Sequence, residues 1–211
     1  MKTYRAGVAA IALVAGVSAA VPAHAEFAGK SAGDFMVRAR AIAVVPDEDA
    51  STTIGGNVSI SNDVVPEIDF SYFITDNIAL ELIAATTKHD VSHNAGIDLG
   101  EVSLLPPTLT LQYHFMPKER FSPYVGAGIN YTIFYNEDAA PGSAVTDIDY
   151  DNAFGYALQV GVDYALSDNW YANVDVKKLF LNTDVSMNGG TITADVDIDP
   201  WIIGVGVGYR F

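Results

Sequence analysis

At 211 residues the chain is long enough for one domain. Half of it is hydrophobic, yet beyond its first 25 residues no stretch reaches the roughly 18 apolar residues that a spanning helix needs. Its 11 Lys and Arg against 26 Asp and Glu argue against a nucleic-acid partner, and the absence of cysteine removes any disulfide framework or thiolate metal site.

The chain opens with Lys2 and Arg5, an apolar run from Ala6 to Ala20, and Ala23-His24-Ala25. That is the pattern of a secretory signal peptide cleaved after residue 25, leaving 26–211 as the folded unit. Cleavage removes two of the 11 basic residues and no acid, so the mature formal charge is −17. Residues 26–33 read as a short polar lead.

Strict alternation then begins. A first strand is expected from Asp34 to Val45, with Phe35, Val37, Ala39, Ala41, Ala43 and Val45 on one face and Met36, Arg38, Arg40, Ile42 and Val44 on the other. Arginine toward lipid is costly, so the second face is the interior. A polar loop follows at 46–56, and 57–65 reads as either loop or strand.

The second strand, Val65 to Ile74, sets Glu67, Asp69 and Ser71 inward. The third, Ile78 to Thr87, sets Glu81 and Ile83 inward. A long polar loop is expected at 88–101. The fourth strand, Leu104 to Phe115, points Thr108, Thr110, Gln112 and His114 inward. The fifth, Ser122 to Tyr135, does the same with Tyr124, Gly126, Gly128, Asn130 and Thr132. After an acidic loop at 136–151, the sixth strand (Asn152 to Leu166) carries Gln159 and Asp163 inward. The seventh (Trp170 to Leu181) carries Asn173, Asp175 and Lys177. A loop at 182–191 precedes the last strand, which ends at Phe211. There Trp201, Ile203, Val205, Val207, Tyr209 and Phe211 share one face, and Ile202, Gly204, Gly206, Gly208 and Arg210 share the other.

Eight strands of about ten residues can each cross a bilayer when tilted. Short turns at 75–77, 116–121 and 167–169 alternate with the four longer connections. The expected fold is therefore all-β: an eight-stranded antiparallel transmembrane β-barrel with short periplasmic turns and longer extracellular loops. A soluble barrel would be apolar inside and polar outside, the reverse of this pattern.

Several segments in order resemble the OmpW family of small outer-membrane barrels. They are Thr75-Asp76-Asn77-Ile78, Glu81-Leu82, Leu104 to Leu109, Pro123 to Thr132, Gln159 to Tyr164, and Asp199-Pro200-Trp201 through Phe211. The resemblance covers essentially the whole mature chain. It implies a narrow, partly hydrophobic interior, passage of small hydrophobic molecules across the Gram-negative outer membrane, and some relatives similar to alkane-import proteins. It also implies that the C-terminal aromatics Tyr209 and Phe211 are read by the barrel-assembly machinery. The expected partners are outer-membrane lipid, that machinery and a small apolar solute. A monomer without cofactor is expected.

The inward charged and polar set, Arg38, Arg40, Glu67, Asp69, Glu81, Gln112, His114, Gln159, Asp163, Asp175, Lys177 and Arg210, reads as an ion-pair network that braces the barrel and blocks water and ions. Ile42, Val44, Ile83, Phe134, Leu179 and Ile202 are inward by parity toward the outer end and could line an apolar pocket. Pro106-Pro107 cannot donate ladder hydrogen bonds, so they mark either a strand start or a weak seam in the wall. His89 and His93 form H-x-x-x-H, which binds metal on a helix but here falls in an expected loop with no third ligand evident. Asp147, Asp149 and Asp151, and Asp195, Asp197 and Asp199, read as a solvated acidic rim above the hydrocarbon. No nucleophile elbow or nucleophile–base pair is present, and no enzyme activity is expected.

Overall fold

A computed structural model describes residues 27–53, 58–93, 97–142 and 145–211. The expected signal peptide at 1–25 lies outside the described residues, as do positions 54–56 of the first expected loop. The strands are β1 (Phe35–Val45), β2 (Asp49–Thr52), β3 (Val58–Ile60), β4 (Asp63–Phe73), β5 (Ile78–Ala85), β6 (Thr87–His93) and β7 (Ile97–Leu105). They continue with β8 (Thr108–His114), β9 (Phe121–Ala139), β10 (Ile148–Tyr150), β11 (Ala153–Ala165), β12 (Trp170–Met187), β13 (Ile192–Asp197) and β14 (Trp201–Arg210).

Eight of these close a barrel in the order β1–β4–β5–β8–β9–β11–β12–β14 and back to β1, every pair antiparallel. Closure is at β1 and β14, from Met36 opposite Arg210 to Val45 opposite Trp201. No edge is left in the ring, so each wall strand has hydrogen-bonded neighbours on both sides, as lipid requires.

The alternation has its expected consequence. The outward face keeps Phe70, Leu82, Leu111, Ile129, Leu158, Val160 and Val205 exposed, a surface suited to hydrocarbon and costly in water. Aromatic rings ring the two ends of that face. Tyr209 contacts both Trp170 and Phe211 at the periplasmic end, and Tyr113 contacts Phe115. Tyr131 and Phe154 pack together toward the outer end, and Trp201 lies there under Lys178. Trp201 and Tyr209 are eight residues apart on β14, roughly 27 Å along the strand and roughly 21 Å of depth at a tilt of about 40°.

Two expectations need correction. The long outer connections are mostly strand. β12 continues to Met187 and pairs with β13 and β10, while β2 pairs with β13. On the other side β3, β6, β7 and the top of β9 form a second sheet. Both sheets stand above the membrane and turn apolar side chains toward each other. Val91, Leu104 and Phe134 from one pack with Val185, Met187, Ala194 and Val196 from the other. The segments read as loop because their outer faces are acidic; Asp184, Asp195 and Asp197 alternate with those buried residues.

The segment read as a short polar lead at 26–33 is also more than that, since from Phe27 on it is tied to the barrel. It folds back under the barrel: Lys30 N–H donates to the Pro117 carbonyl at 2.7 Å, and Lys118 reaches back to the Lys30 carbonyl at 2.8 Å. Phe27 packs edge-on to Tyr171, joining the small cluster of Met36, Phe73, Ala79 and Ala165 that closes the periplasmic mouth.

Candidate functional site

The interior is built in three levels. The lowest is the apolar plug just described, through which Lys30 passes upward. Its ammonium is fully buried and bonds Asp163 at 2.7 Å, Ser122 at 3.0 Å and His114 Nδ1 at 3.0 Å. It also lies 5.8 Å and 5.6 Å from the Phe73 and Tyr171 ring centroids. No periodicity announces Lys30, which is why sequence reasoning missed it.

The middle level is a polar network. Arg38 grips Asp163 with two bonds, Nε at 3.1 Å and Nη2 at 2.8 Å, while its Nη1 reaches Asp69 at 2.9 Å and Ser71 at 2.7 Å. Arg40 Nε donates to Glu67 at 2.6 Å. Its Nη2 lies 2.8 Å from Asp69 as an ion pair without the alignment of a hydrogen bond. Lys177 donates to Asp175 at 2.6 Å and lies 3.7 Å from Glu81. Gln112 and Gln159 bridge what remains, both donating to Glu81, and Gln159 also to Asp175 at 2.8 Å. Tyr124, inward by parity, donates to Asp175 at 2.7 Å, and Asn173 to Asp163 at 2.8 Å.

Five buried carboxylates (Glu67, Asp69, Glu81, Asp163, Asp175) thus face four buried cations (Lys30, Arg38, Arg40, Lys177). Buried charge survives only when paired in this way. His114 accepts from Lys30 at Nδ1, so its proton is on Nε2, directed to Gln112 at 3.2 Å. Arg210 stands apart from the network. It braces the periplasmic rim through Asp34 at 3.1 Å and the Asp168 carbonyl at 2.9 Å. Glycine makes room for these long side chains in a narrow bore. A Cβ at Gly161 would lie 2.4 Å from the Tyr124 ring, and one at Gly206 2.1 Å from the Ala39 carbonyl.

Above the network is an apolar cavity of about 70 Å³. At about 10–15 Å³ per water-sized position that is room for one ring or a short chain. Ile42, Val44, Ile83, Phe134, Leu179, Ile202 and Pro106 line it, and Pro107 does not. Glu67 and Lys177, the top of the network, form its floor with Thr108 and Thr132. Much of the wall comes from the two outer sheets, including Val91, Ile148, Val185 and Met187, which sequence reasoning had assigned to loops. The period-two burial along β6, β12 and β13 is the signal that could have found them.

The two outer sheets meet along side-chain bridges rather than a ladder. Asn152 accepts from the Phe134 N–H at 3.0 Å, and Glu137 from the Tyr150 N–H at 3.1 Å. The Phe134 and Tyr150 rings stack at 5.3 Å. Glu48 accepts from the Ile60 N–H at 3.1 Å on the far side. Desolvation, then neighbouring Asp149 and Asp151, push the Glu137 carboxyl above its ordinary range against the opposing pull of the Tyr150 N–H. Burial raises the Tyr150 phenol in the same way.

At Pro106-Pro107 the ladder thins without breaking: neither proline can donate, but the Tyr131 N–H still donates to the Pro107 carbonyl at 3.1 Å. β7 pairs with β9 as far as Leu105 opposite Ile133, and β8 resumes with Thr108 opposite Asn130. The Asn130 amide reinforces this stretch, donating to Thr108 at 2.9 Å and to the Pro106 and Pro107 carbonyls at 3.2 and 3.3 Å. One stave further round, β4 and β5 stop pairing at Glu67 opposite Ala85, and β6 turns away to join β3 and β7.

His89 and His93 lie on β6, four residues apart and so roughly 13 Å along the strand. No group of three metal-capable side chains occurs among the described residues. Asp195 and Asp197 face out from β13, tied to Asn182 at 2.7 and 3.0 Å, and Asp149 is exposed on β10. Asp147 accepts from the Gly189 N–H at 2.8 Å, Asp151 N–H donates to the Asp184 carbonyl at 2.9 Å, and Asp199 accepts from the Leu181 N–H at 2.8 Å. Tyr209 and Phe211 face outward at the end of β14, Phe211 being 70% exposed.

Comparison with known proteins agrees with this architecture. The OmpW family model matches residues 31–211. Outer membrane protein W of Escherichia coli is 38% identical over 213 residues, covering 97% of this chain and 98% of that one. The crystal structure of the outer membrane protein OprG from Pseudomonas aeruginosa superposes with a TM-score of 0.81 at 32% identity, covering 87% of this chain and 98% of that one. The solid-state NMR structure of outer membrane protein AlkL in DMPC lipid bilayers gives 0.66 at 27% identity, covering 92% and 97%.

Proposed function

The chain belongs to the OmpW family of the Gram-negative outer membrane, and from that premise we propose that it is a narrow conduit for small hydrophobic molecules. A solute enters between the two outer sheets, rests in the apolar cavity and leaves sideways into the membrane.

The observation that carries this reading is the stacking of an apolar cavity directly on a charged floor. A hydrophobic solute gains from leaving water for the cavity. Going deeper would place it among buried ion pairs, where it displaces hydrogen bonds without replacing them. Below that, Lys30 and the aromatic plug close the bore. The continuous network supports exclusion of ions and water from the same path. Pro106, on the cavity wall where two adjacent residues give the ladder no donor, supports a sideways exit near Pro106-Pro107.

The test is uptake of an apolar fluorescent probe by outer-membrane vesicles with and without the protein. A barrel-dependent rise that saturates is expected. No rise with a folded barrel would refute the conduit and leave a structural or interaction barrel whose loops do the work.

A further inference from the structure

One polar group in the cavity wall has, among the described residues, a hydrogen-bond partner for only one of its two ring nitrogens. His89 is 3% exposed on β6 and lines the cavity together with Thr87 and Val91, on the same face of the strand. Its Nδ1 lies 2.6 Å from the Ser61 carbonyl oxygen. A carbonyl oxygen can only accept, so Nδ1 carries the proton. In the neutral ring Nε2 is then a bare acceptor, and no described residue donates to it.

The polar groups of the cavity floor are committed. Lys177 donates to Asp175, Glu67 accepts from Arg40, and the Thr108 and Thr132 hydroxyls donate to the Pro106 carbonyl and to Asn130. That leaves His89, with the Thr87 and Tyr150 hydroxyls, as polar groups presented to an otherwise apolar space, and of these three only the bare His89 Nε2 accepts without also donating. With metal binding unsupported by its surroundings, this half of the H-x-x-x-H pair has no other assigned role.

We propose, resting on the conduit reading, that His89 determines specificity. It accepts a hydrogen bond from solutes that are apolar except for one O–H donor, small phenols and alcohols, and so favours them over hydrocarbons of the same shape. A site with few placed polar groups in an apolar wall selects by those groups. An occupant that cannot donate leaves the acceptor unpaired, which costs affinity.

The test uses the full mature barrel in lipid bilayers and two molecules of one shape, p-cresol and p-xylene. Each is titrated against a bound apolar fluorophore in the native protein, His89→Phe and His89→Gln. Partition into lipid cancels in the comparison between proteins in the same bilayer, and heat-modifiable gel mobility verifies that each variant is folded. The cresol-to-xylene preference should fall about tenfold in His89→Phe, the worth of one hydrogen bond, and recover in part in His89→Gln, which keeps a donor and an acceptor. The ¹⁵N resonance of His89 Nε2 should move with p-cresol and not with p-xylene. An unchanged preference in His89→Phe, or a ring whose Nδ1 carries no proton, overturns the proposal. If both molecules displace the fluorophore but with one preference throughout, only His89's role falls; if neither displaces it from the native protein, the conduit falls with it.

Discussion

Replacing Asp163 by asparagine keeps the shape and removes one charge from the point where two buried cations meet. Asp163 is fully buried and holds Arg38 at 3.1 and 2.8 Å and Lys30 at 2.7 Å. Asparagine can still accept from one of them, but its amide N–H groups then face the other. Lys30 is left with Ser122 and neutral His114, neither of which balances its charge. Breaking a buried pair costs about 3–5 kcal/mol, and that is the loss expected for Asp163→Asn. Lys30→Met should cost less, because Asp163 keeps Arg38. The double variant should be more stable than the sum of the single losses by about 1–2 kcal/mol, since the stranded ammonium is gone. Denaturant unfolding in lipid vesicles, followed by the fluorescence of Trp170 and Trp201, measures all three. Amide exchange at Lys30, whose N–H bonds Pro117, reports whether the lead has undocked. A loss under about 1 kcal/mol for Asp163→Asn, or strictly additive single losses, would refute the account of the network as charges that depend on one another.

Replacing Pro106 and Pro107 together by residues able to pair should slow apolar uptake while leaving the barrel folded; unchanged uptake in a folded variant would remove the seam. Gly161→Ala drives a methyl to 2.4 Å from the Tyr124 ring, and should cost about 1–3 kcal/mol in the same unfolding assay. Glu137 gives a pH dependence. Its folded-state pKa is raised, so its contribution to stability is complete below its unfolded value and is lost as pH rises through the folded one. Stability in the same unfolding assay should fall over that window, and the part of the fall owed to Glu137 should be absent in Glu137→Gln.

How far the sequence could be read follows from where water and lipid lie. In the spanning strands the outward face meets hydrocarbon, so every charged side chain must turn inward. Parity alone then places Arg38, Arg40, Glu81, Gln112, Asp163 and Lys177 in the bore, where the structure has them buried. Above the membrane that constraint vanishes. Asp184, Asp195 and Asp197 can face water, and composition then suggests loop although Val185, Ala194 and Val196 keep the strand period. Pairings across the bore could not be read, because Arg38 bonds not only Asp69 beside it on β4 but also Asp163 from the far side of the barrel. Lys30 lay beyond any periodic argument, since its place is set by the lead folding back under the barrel and not by a strand of its own.

The cross-bore contact of Arg38 with Asp163 has a consequence for how the chain folds. β1 carries both interior arginines, and its wall neighbours are β4 and, at the seam of closure, β14. While that seam is open, Arg38 has Asp69 beside it on β4 but not Asp163, which arrives with β11 from the far end of the chain. A partly assembled sheet therefore holds an incompletely neutralised guanidinium that resists transfer into hydrocarbon. The first and last staves gain most when every stave between them is already in place. Insertion should accordingly be concerted, with open sheets scarcely populated and the Lys30 segment docking only after the ring has shut.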